Sequence, residues 1–314
     1  MTHTVADLGE GEVIRRIVAA APSSRNGDDA AVLAHANPNT RAVASTDMLV
    51  DGVHFSPAWS HPEEIGRKAI VANFADIQAM GARPIAALLA ISAPGDTPIE
   101  LLEGIARGIE HEVVYHSAEL VGGDVTRGKQ LVLSVTAIGL LGGDRPPLTL
   151  KRARAGQKLV AHGRIGWSAA GLALLQRYGR EHVPPRFQPL VDAHCAPSIM
   201  PNRGIIARSA GATAMTDNSD GLVKDLGLIA AKSGVGIDLD PYRIGPGQLM
   251  EEVGIALGTD PWEWILGGGE DHTLMATIAG EAPSGFREIG SVVMGEGVTV
   301  GGNQPAVTTG WDSF

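Results

Sequence analysis

Between His61 and Ser92 the chain sets a helix-length segment directly before a strand-length one. "HPEEIGRKAIVANFADIQAMGA", residues 61–82, has Pro62 near its start, acids in its first turn and Gly81 near its end, the signals of one long helix. "IAALLAIS", residues 85–92, is a short unbroken apolar run and reads as a buried strand. A second helix is expected near 97–116. The alternation recurs along the chain: strands are expected in "RAVASTDMLV", "AELVGGD", "LVLSVTAIGL", "KLVAHG" and "VGIDLD", and helices in "SAAGLALLQRYG" and "GLVKDLGLIAAKSG". Near the start, Leu8, Val13, Ile14, Ile17 and Val18 form a further helical stripe. Strands and helices interleaved in this way restrict the chain to layered α/β or α+β architectures.

A length of 314 residues allows two domains, each with its own core. The glycine- and proline-rich stretch at 141–157 is the best candidate boundary, giving domains over 1–143 and 144–314. Aromatic residues are only 4%, so the cores must rest on Ala, Val, Ile and Leu. The formal charge of −10 argues against a nucleic-acid partner, which requires a basic face, but leaves phosphate ligands open if cations accompany them. Cys195 is the single cysteine and reads as a small buried hydrophobe in a reducing compartment. The first residues lack a basic segment followed by an apolar one, and no apolar run reaches the ~18 residues of a membrane span. A cytoplasmic protein with no membrane partner is the expectation.

"GGDVTRGKQ", residues 122–130, approaches a P-loop but fails it twice. Gln130 stands where the metal-ligating hydroxyl belongs. The residues after it are β-branched and apolar rather than helical, so no helix N-terminus is available to cradle phosphate. The stretch reads as a hairpin loop between two strands. Three other patterns also fall away. In "HEVVYH" the histidines lie five residues apart, ~140° around a helix. "GWSAAG" is one residue too long for a nucleophile elbow and fits a helix start, with Ser168 near the cap. "KRARAGQ" reads as a solvated basic linker.

Aspartates recur where elements end beside glycine or small residues: Asp28 and Asp29, then Asp47 after Ser45 and Thr46, then Asp76, Asp124, and Asp217 with Asp220 around Ser219. Singly, each is most simply a turn or cap residue. Seven in five such places point to hard divalent cations such as Mg²⁺, which take oxygen ligands from loops. Asp217 and Asp220 precede a helix whose N-terminus, near Gly221, adds a field favourable to phosphate.

Six pieces in order, "GDDAAV", "STDMLVDGVHF", "KAIVANFADIQAMGARP", "GGDVTRG", "MTDNSDGL" and "GGGEDHTL", with the closing "GWDSF", resemble the thiamine-monophosphate kinase family over nearly the whole chain. That family shares a superfamily with aminoimidazole ribonucleotide synthetase and selenophosphate synthetase. The resemblance implies the two-domain α/β fold of that superfamily, with a mixed N-terminal sheet forming a homodimer and a C-terminal α/β domain completing the site. It implies transfer of the γ-phosphoryl of ATP to thiamine monophosphate, with no side chain acting as a covalent or acid–base catalyst. It also implies Mg²⁺ at Asp29, Ser45, Thr46, Asp47, Asp76, Asp124, Asp217 and Asp220, with Asp28 beside them. Gly123, Asp124 and Ser219 would meet ATP, joined by a basic residue near the boundary, Lys151 or Arg152, of which Arg152 is our choice. His54, Glu270 and Trp311 would meet the thiamine phosphate.

The chain departs from the family pattern at Ala75, where a serine is usual, at Asn218, where an apolar residue is usual, and at His272 and Thr273, which are expected to alter the substrate pocket. Selenophosphate synthetase is disfavoured because no cysteine lies in the N-terminal glycine-rich region. An aminoimidazole ribonucleotide synthetase-like enzyme, a non-catalytic nucleotide-binding homologue and a metal-dependent phosphohydrolase are the alternatives.

Overall fold

The computed structural model describes residues 31–33 and 39–312. The expected helix around residues 8–18 and the pair Asp28 and Asp29 lie outside these residues. Two mixed sheets organise the chain. The first runs in the order β1-β2-β5-β3-β4, built from β1 (Ala31–Leu33), β2 (Thr40–Val50), β3 (Arg83–Ala93), β4 (Glu119–Arg127) and β5 (Val132–Gly142). The second runs β11-β8-β10-β6-β9-β7, from β6 (Lys158–His162), β7 (Ala214–Thr216), β8 (Gly236–Leu239), β9 (Leu274–Ile278), β10 (Arg287–Val293) and β11 (Gly297–Val300).

The expected helix at 61–82 is α1 (Pro62–Ala79), started by a capping box in which His61 N donates to Glu64 Oε2 at 2.7 Å. Its apolar residues Ile70, Phe74 and Ile77 join Leu133, Val135 and Ala137, which alternate along β5, in one buried core. The helix α2 (Ile99–Tyr115) closes this layer through Ile105 and Ile109. The two histidines of "HEVVYH" do point apart, His116 being buried and His111 exposed. The helices α3 (Trp167–Tyr178), α4 (Gln188–Cys195) and α6 (Leu222–Ser233) enclose the second core; α5 (Arg203–Ala210) lies between α4 and α6 in the chain. Three further helices lie in the second half: α7 (Pro241–Ile244), α8 (Gln248–Leu257) and α9 (Pro261–Gly267). No helix among the described residues is long and apolar enough to cross a membrane.

One expectation is corrected. The strands flanking "VTRGKQ" do not form a hairpin, because β3 lies between them, pairing parallel with β4 and antiparallel with β5. β4 itself extends to Arg127, so only a short crossing remains. The apolar content that marked both strands said nothing about which neighbour each would take.

α1 ties the two halves together. Arg180 makes a bidentate pair with Glu64 at 2.6 and 2.7 Å and donates to Trp59 O at 2.6 Å. Near the other end of the helix, Gln78 accepts from Arg203 N at 2.8 Å and donates to Met200 O at 3.1 Å.

Candidate active site

A cavity of about 740 Å³ is lined from both halves of the chain. Four aspartates line it: Asp47 from β2, Asp76 from α1, and Asp217 and Asp220 from the loop before α6. Strand parity explains the β2 contribution. Ser45 and Asp47 share a face: Ser45 Oγ donates to Asp76, and Asp47 N donates to Asn73 Oδ1 at 3.0 Å. Asn73 and Asp76 lie three apart on α1 and so present one face to β2. Thr46 points the other way, its hydroxyl donating to Val135 O at 2.9 Å.

The two loops of the second half align by backbone pairing. Asn218 N donates to Thr273 O, His272 N to Asn218 O and Glu270 N to Ser219 O, each at 2.9 Å. This ladder sets "TDNSDG" against "GGGEDHTL". A side chain at Gly269 would put its Cβ 2.1 Å from Ser219 O, so only glycine permits the approach. Glu270 and His272 take φ of 61° and 50°, left-handed values that non-glycine residues seldom adopt. The amides of Asp220 and Gly221 both donate to Asp225 Oδ2 at 3.1 Å. The buried Asp225 carboxylate thus fixes the backbone that leads into α6, at the amides just before its first turn.

Burial raises the pKa of Asp47, and the charge of Asp217 adds to the rise, with Asp220 further behind; His272 and a hydrogen bond with Asp76 oppose it. Burial disfavours charge on His272, yet its hydrogen bond to Asp217 Oδ2 at 2.9 Å and that carboxylate's charge more than offset this, and its pKa rises. His272 therefore acts on the carboxylate wall. Asn218 is fully buried, and its side-chain nitrogen and oxygen find no hydrogen-bond partner among the described residues.

His54, Glu270 and Trp311 also line the cavity. His54 Nδ1 accepts from Val50 N at 3.0 Å, and its ring lies 6.4 Å from that of Trp311. Trp311 N donates to Asp220 O at 2.7 Å, anchoring the closing segment. Burial lowers the pKa of His54. Lys68, Ser168 and His194, which also line the cavity, were not anticipated as site residues in the sequence. Ser168 Oγ lies 3.1 Å and Glu270 Oε2 3.5 Å from His194 Nδ1. Both contacts fall on the same ring nitrogen, so the set is no proton relay, which needs one partner on each nitrogen. Burial, aided by the charge of Lys68, drops the pKa of His194 to about 3, so its imidazole is neutral. Asp271 fixes the start of α3, accepting from Gly166 N at 2.6 Å and Ser168 N at 2.8 Å.

Of the residues singled out in the sequence, the structure brings Asp47, Asp76, Asp217, Ser219, Asp220, His54, Glu270 and Trp311 to this cavity. Ser45 stands behind Asp76. Thr46, Gly123, Asp124 and Arg152 do not line it. Asp124 sits exposed in the edge strand β4, paired with Ala90, and Arg152 is exposed between β5 and β6.

Residues 27–141 match the family "AIR synthase related protein, N-terminal domain". The thiamine-monophosphate kinase of Corynebacterium glutamicum is 63% identical over 314 residues, which covers 99% of this chain and 95% of that protein. The chain belongs to the thiamine-monophosphate kinase family. The thiamine-monophosphate kinase of Mycobacterium tuberculosis H37Rv is 42% identical across 99% of the chain and 93% of its own length. A solved structure of AaThiL complexed with AMPPCP and TMP superposes with a TM-score of 0.89 at 30% identity, covering 100% of both chains. Against the family's usual residues, Ala75 is buried in the first core, where losing a hydroxyl leaves an apolar environment intact. Thr273, also buried, donates to Arg164 O and lies behind the cavity wall.

Proposed function

We propose that this chain transfers the γ-phosphoryl group of ATP to thiamine monophosphate, giving thiamine diphosphate and ADP. The observation that carries the reading is one cavity lined by Asp47, Asp76, Asp217 and Asp220 together with the aromatic rings of His54 and Trp311. An acceptor that is anionic at one end and a cationic heterocycle at the other needs both. Full-length similarity to thiamine-monophosphate kinases, and to a structure holding an ATP analogue with thiamine monophosphate, supports it.

The chemistry asks little of side chains. The acceptor phosphate is largely ionised near neutral pH, its second pKa being about 6, so no base need remove a proton. Its oxygen forms a bond to the γ-phosphorus as the bond to the β–γ bridging oxygen breaks, and that electron pair leaves with ADP. The obstacle is bringing two polyanions into line.

Mg²⁺ fits the residues present. Its proposed donors are oxygens only, and Asp47, whose pKa burial raises and the charge of Asp217 raises further, is a site where a hard cation would stabilise the ionised form. Among the described residues no three His, Cys, Asp or Glu side chains form a ready-made metal cluster. When bound, such ions neutralise the phosphate oxygens and hold both reactants in line. Asp47, Asp76, Asp217 and Asp220 are the residues assigned to hold them. Trp311 is assigned to stack on the cationic thiazolium, and Glu270 to balance its charge.

We further propose a homodimer built through the first sheet. All nine residues of β4 are exposed, Leu120, Val121 and Val125 among them, and an open apolar edge of this kind is ordinarily covered. Gly123, Asp124 and Arg152 keep their ATP assignment and Asp28 and Asp29 their metal assignment within that assembly. We place the domain boundary at 143/144, in the connection between β5 and β6, and the protein in the cytoplasm.

Purified protein with ATP, Mg²⁺ and thiamine monophosphate is expected to yield thiamine diphosphate, followed by chromatography, and none with EDTA present. Release of free phosphate without thiamine diphosphate would instead favour a phosphohydrolase.

A further inference from the structure

We infer that Lys68 is a positioning residue for the acceptor, clamping the His54 loop and the Glu270 loop to one buried ammonium and so fixing the width and charge of the acceptor wall. The inference rests on the function proposed above.

Lys68 lies within α1, two turns before Asp76, on the stripe Lys68, Ala72 and Asp76 that faces the cavity. It is 2% exposed, an extreme value for a lysine, and such burial calls for partners. Its ammonium carries three donors. One goes to His54 O at 2.8 Å and another to Glu270 Oε1 at 2.9 Å. These partners come from the two halves of the chain, and each belongs to a loop that supplies a side chain to the same wall. One ammonium therefore sets the distance between them.

The clamp also decides what Glu270 offers. Burial alone would push its carboxyl up, but the charge of Lys68 and the hydrogen bond it donates bring its pKa below the usual value. Lys68 holds Oε1, while Oε2 has only His194 Nδ1 at 3.5 Å, too long for a good hydrogen bond. An ionised oxygen is thus left at the cavity for an N–H donor or a cationic ring on the acceptor. Without Lys68, the half-buried Glu270 loses its close ionic partner and either takes up a proton or swings away, and the His54 loop loses its tether.

The test is equilibrium binding of thiamine monophosphate by calorimetry, with a non-hydrolysable ATP analogue and Mg²⁺ present, beside steady-state kinetics. Lys68→Met is expected to weaken acceptor binding and raise its KM by about 10–100-fold, while KM for ATP stays within about threefold. Should Lys68→Met fold poorly, the double variant Lys68→Met/Glu270→Gln removes both charges and keeps the cavity neutral. Because Lys68 acts through Glu270, that double variant is expected to bind the acceptor no more weakly than Glu270→Gln alone. Wild-type acceptor affinity in Lys68→Met, or strictly additive losses in the double variant, would overturn the inference. A wild-type protein that binds no thiamine monophosphate would instead overturn the proposed function beneath it.

Discussion

Alanine at Asp47 or Asp220 is expected to lower the rate of phosphoryl transfer by at least about 10²–10³-fold without lowering the temperature of unfolding. The two halves of this expectation come from the same geometry. Asp47 and Asp76, from the first half of the chain, line the same cavity as Asp217 and Asp220 from the second. Burial raises the pKa of Asp47, and repulsion from Asp217 and then Asp220 adds to the rise. Removing one carboxylate relieves that repulsion, so the fold should be as stable as before or more so. The reaction loses a group assigned to the cations that offset four or more negative charges on the reactants. Thermal unfolding and turnover measured on the same preparation separate the effects. A variant that keeps full activity would remove that carboxylate from the metal set; one that is inactive only because it unfolds would leave its role to packing.

The largest loss of stability is expected from Gly66→Val. Gly66 lies on α1 where α2 crosses it, and a Cβ there would sit 2.0 Å from Ile105 O. The contact is reciprocal, since a Cβ at Gly108 of α2 would sit 1.9 Å from Glu63 O. Backbone meets backbone, so no rotamer change makes room and the helices must separate. A cost of about 3 kcal/mol or more is expected, the upper end for overpacking. The site should suffer too, because Lys68 and Asp76 ride on the displaced helix. Gly227 provides the control: it lies in α6 with open space where its Cβ would go, so Gly227→Ala should stabilise by about 0.5–1 kcal/mol. Urea midpoints of the two variants should move in opposite directions. Equal tolerance at both positions would mean that the helix crossing is looser than these contacts require.

How much of this was legible from residues alone varies with the physics. α1 carried its signals locally, in Pro62, the first-turn acids and Gly81, and it formed over Pro62–Ala79. Asp47, Asp76, Asp217 and Asp220 could be picked out as one chemical set because carboxylates beside small residues share a chemistry whatever the fold. Strand parity would have turned Thr46 away from Ser45 and Asp47, a signal present in "STD" but not used. The stripe Lys68, Ala72, Asp76 was equally available at helical spacing. The order of the first sheet was not, because pairing of β3 between β4 and β5 is decided by long-range packing. Nor was His194, which reaches the cavity only because α4 packs beside α3. Gly104 and Gly108 form a small-xxx-small spacing on α2, yet that spacing marks a helix crossing only once the partner helix is known.

The central claim is that two phosphates meet in this cavity directly, with no side chain carrying the phosphoryl group between them. Ser168 and His194 are the nearest candidates for such a carrier, and the contacts of both fall on one neutral imidazole nitrogen. The decisive measurement uses ATP made chiral at its γ-phosphorus with oxygen isotopes, and reads the configuration of the terminal phosphoryl group in the thiamine diphosphate formed. A single in-line displacement predicts inversion. Retention would require two displacements through a phosphorylated side chain, and would contradict the account.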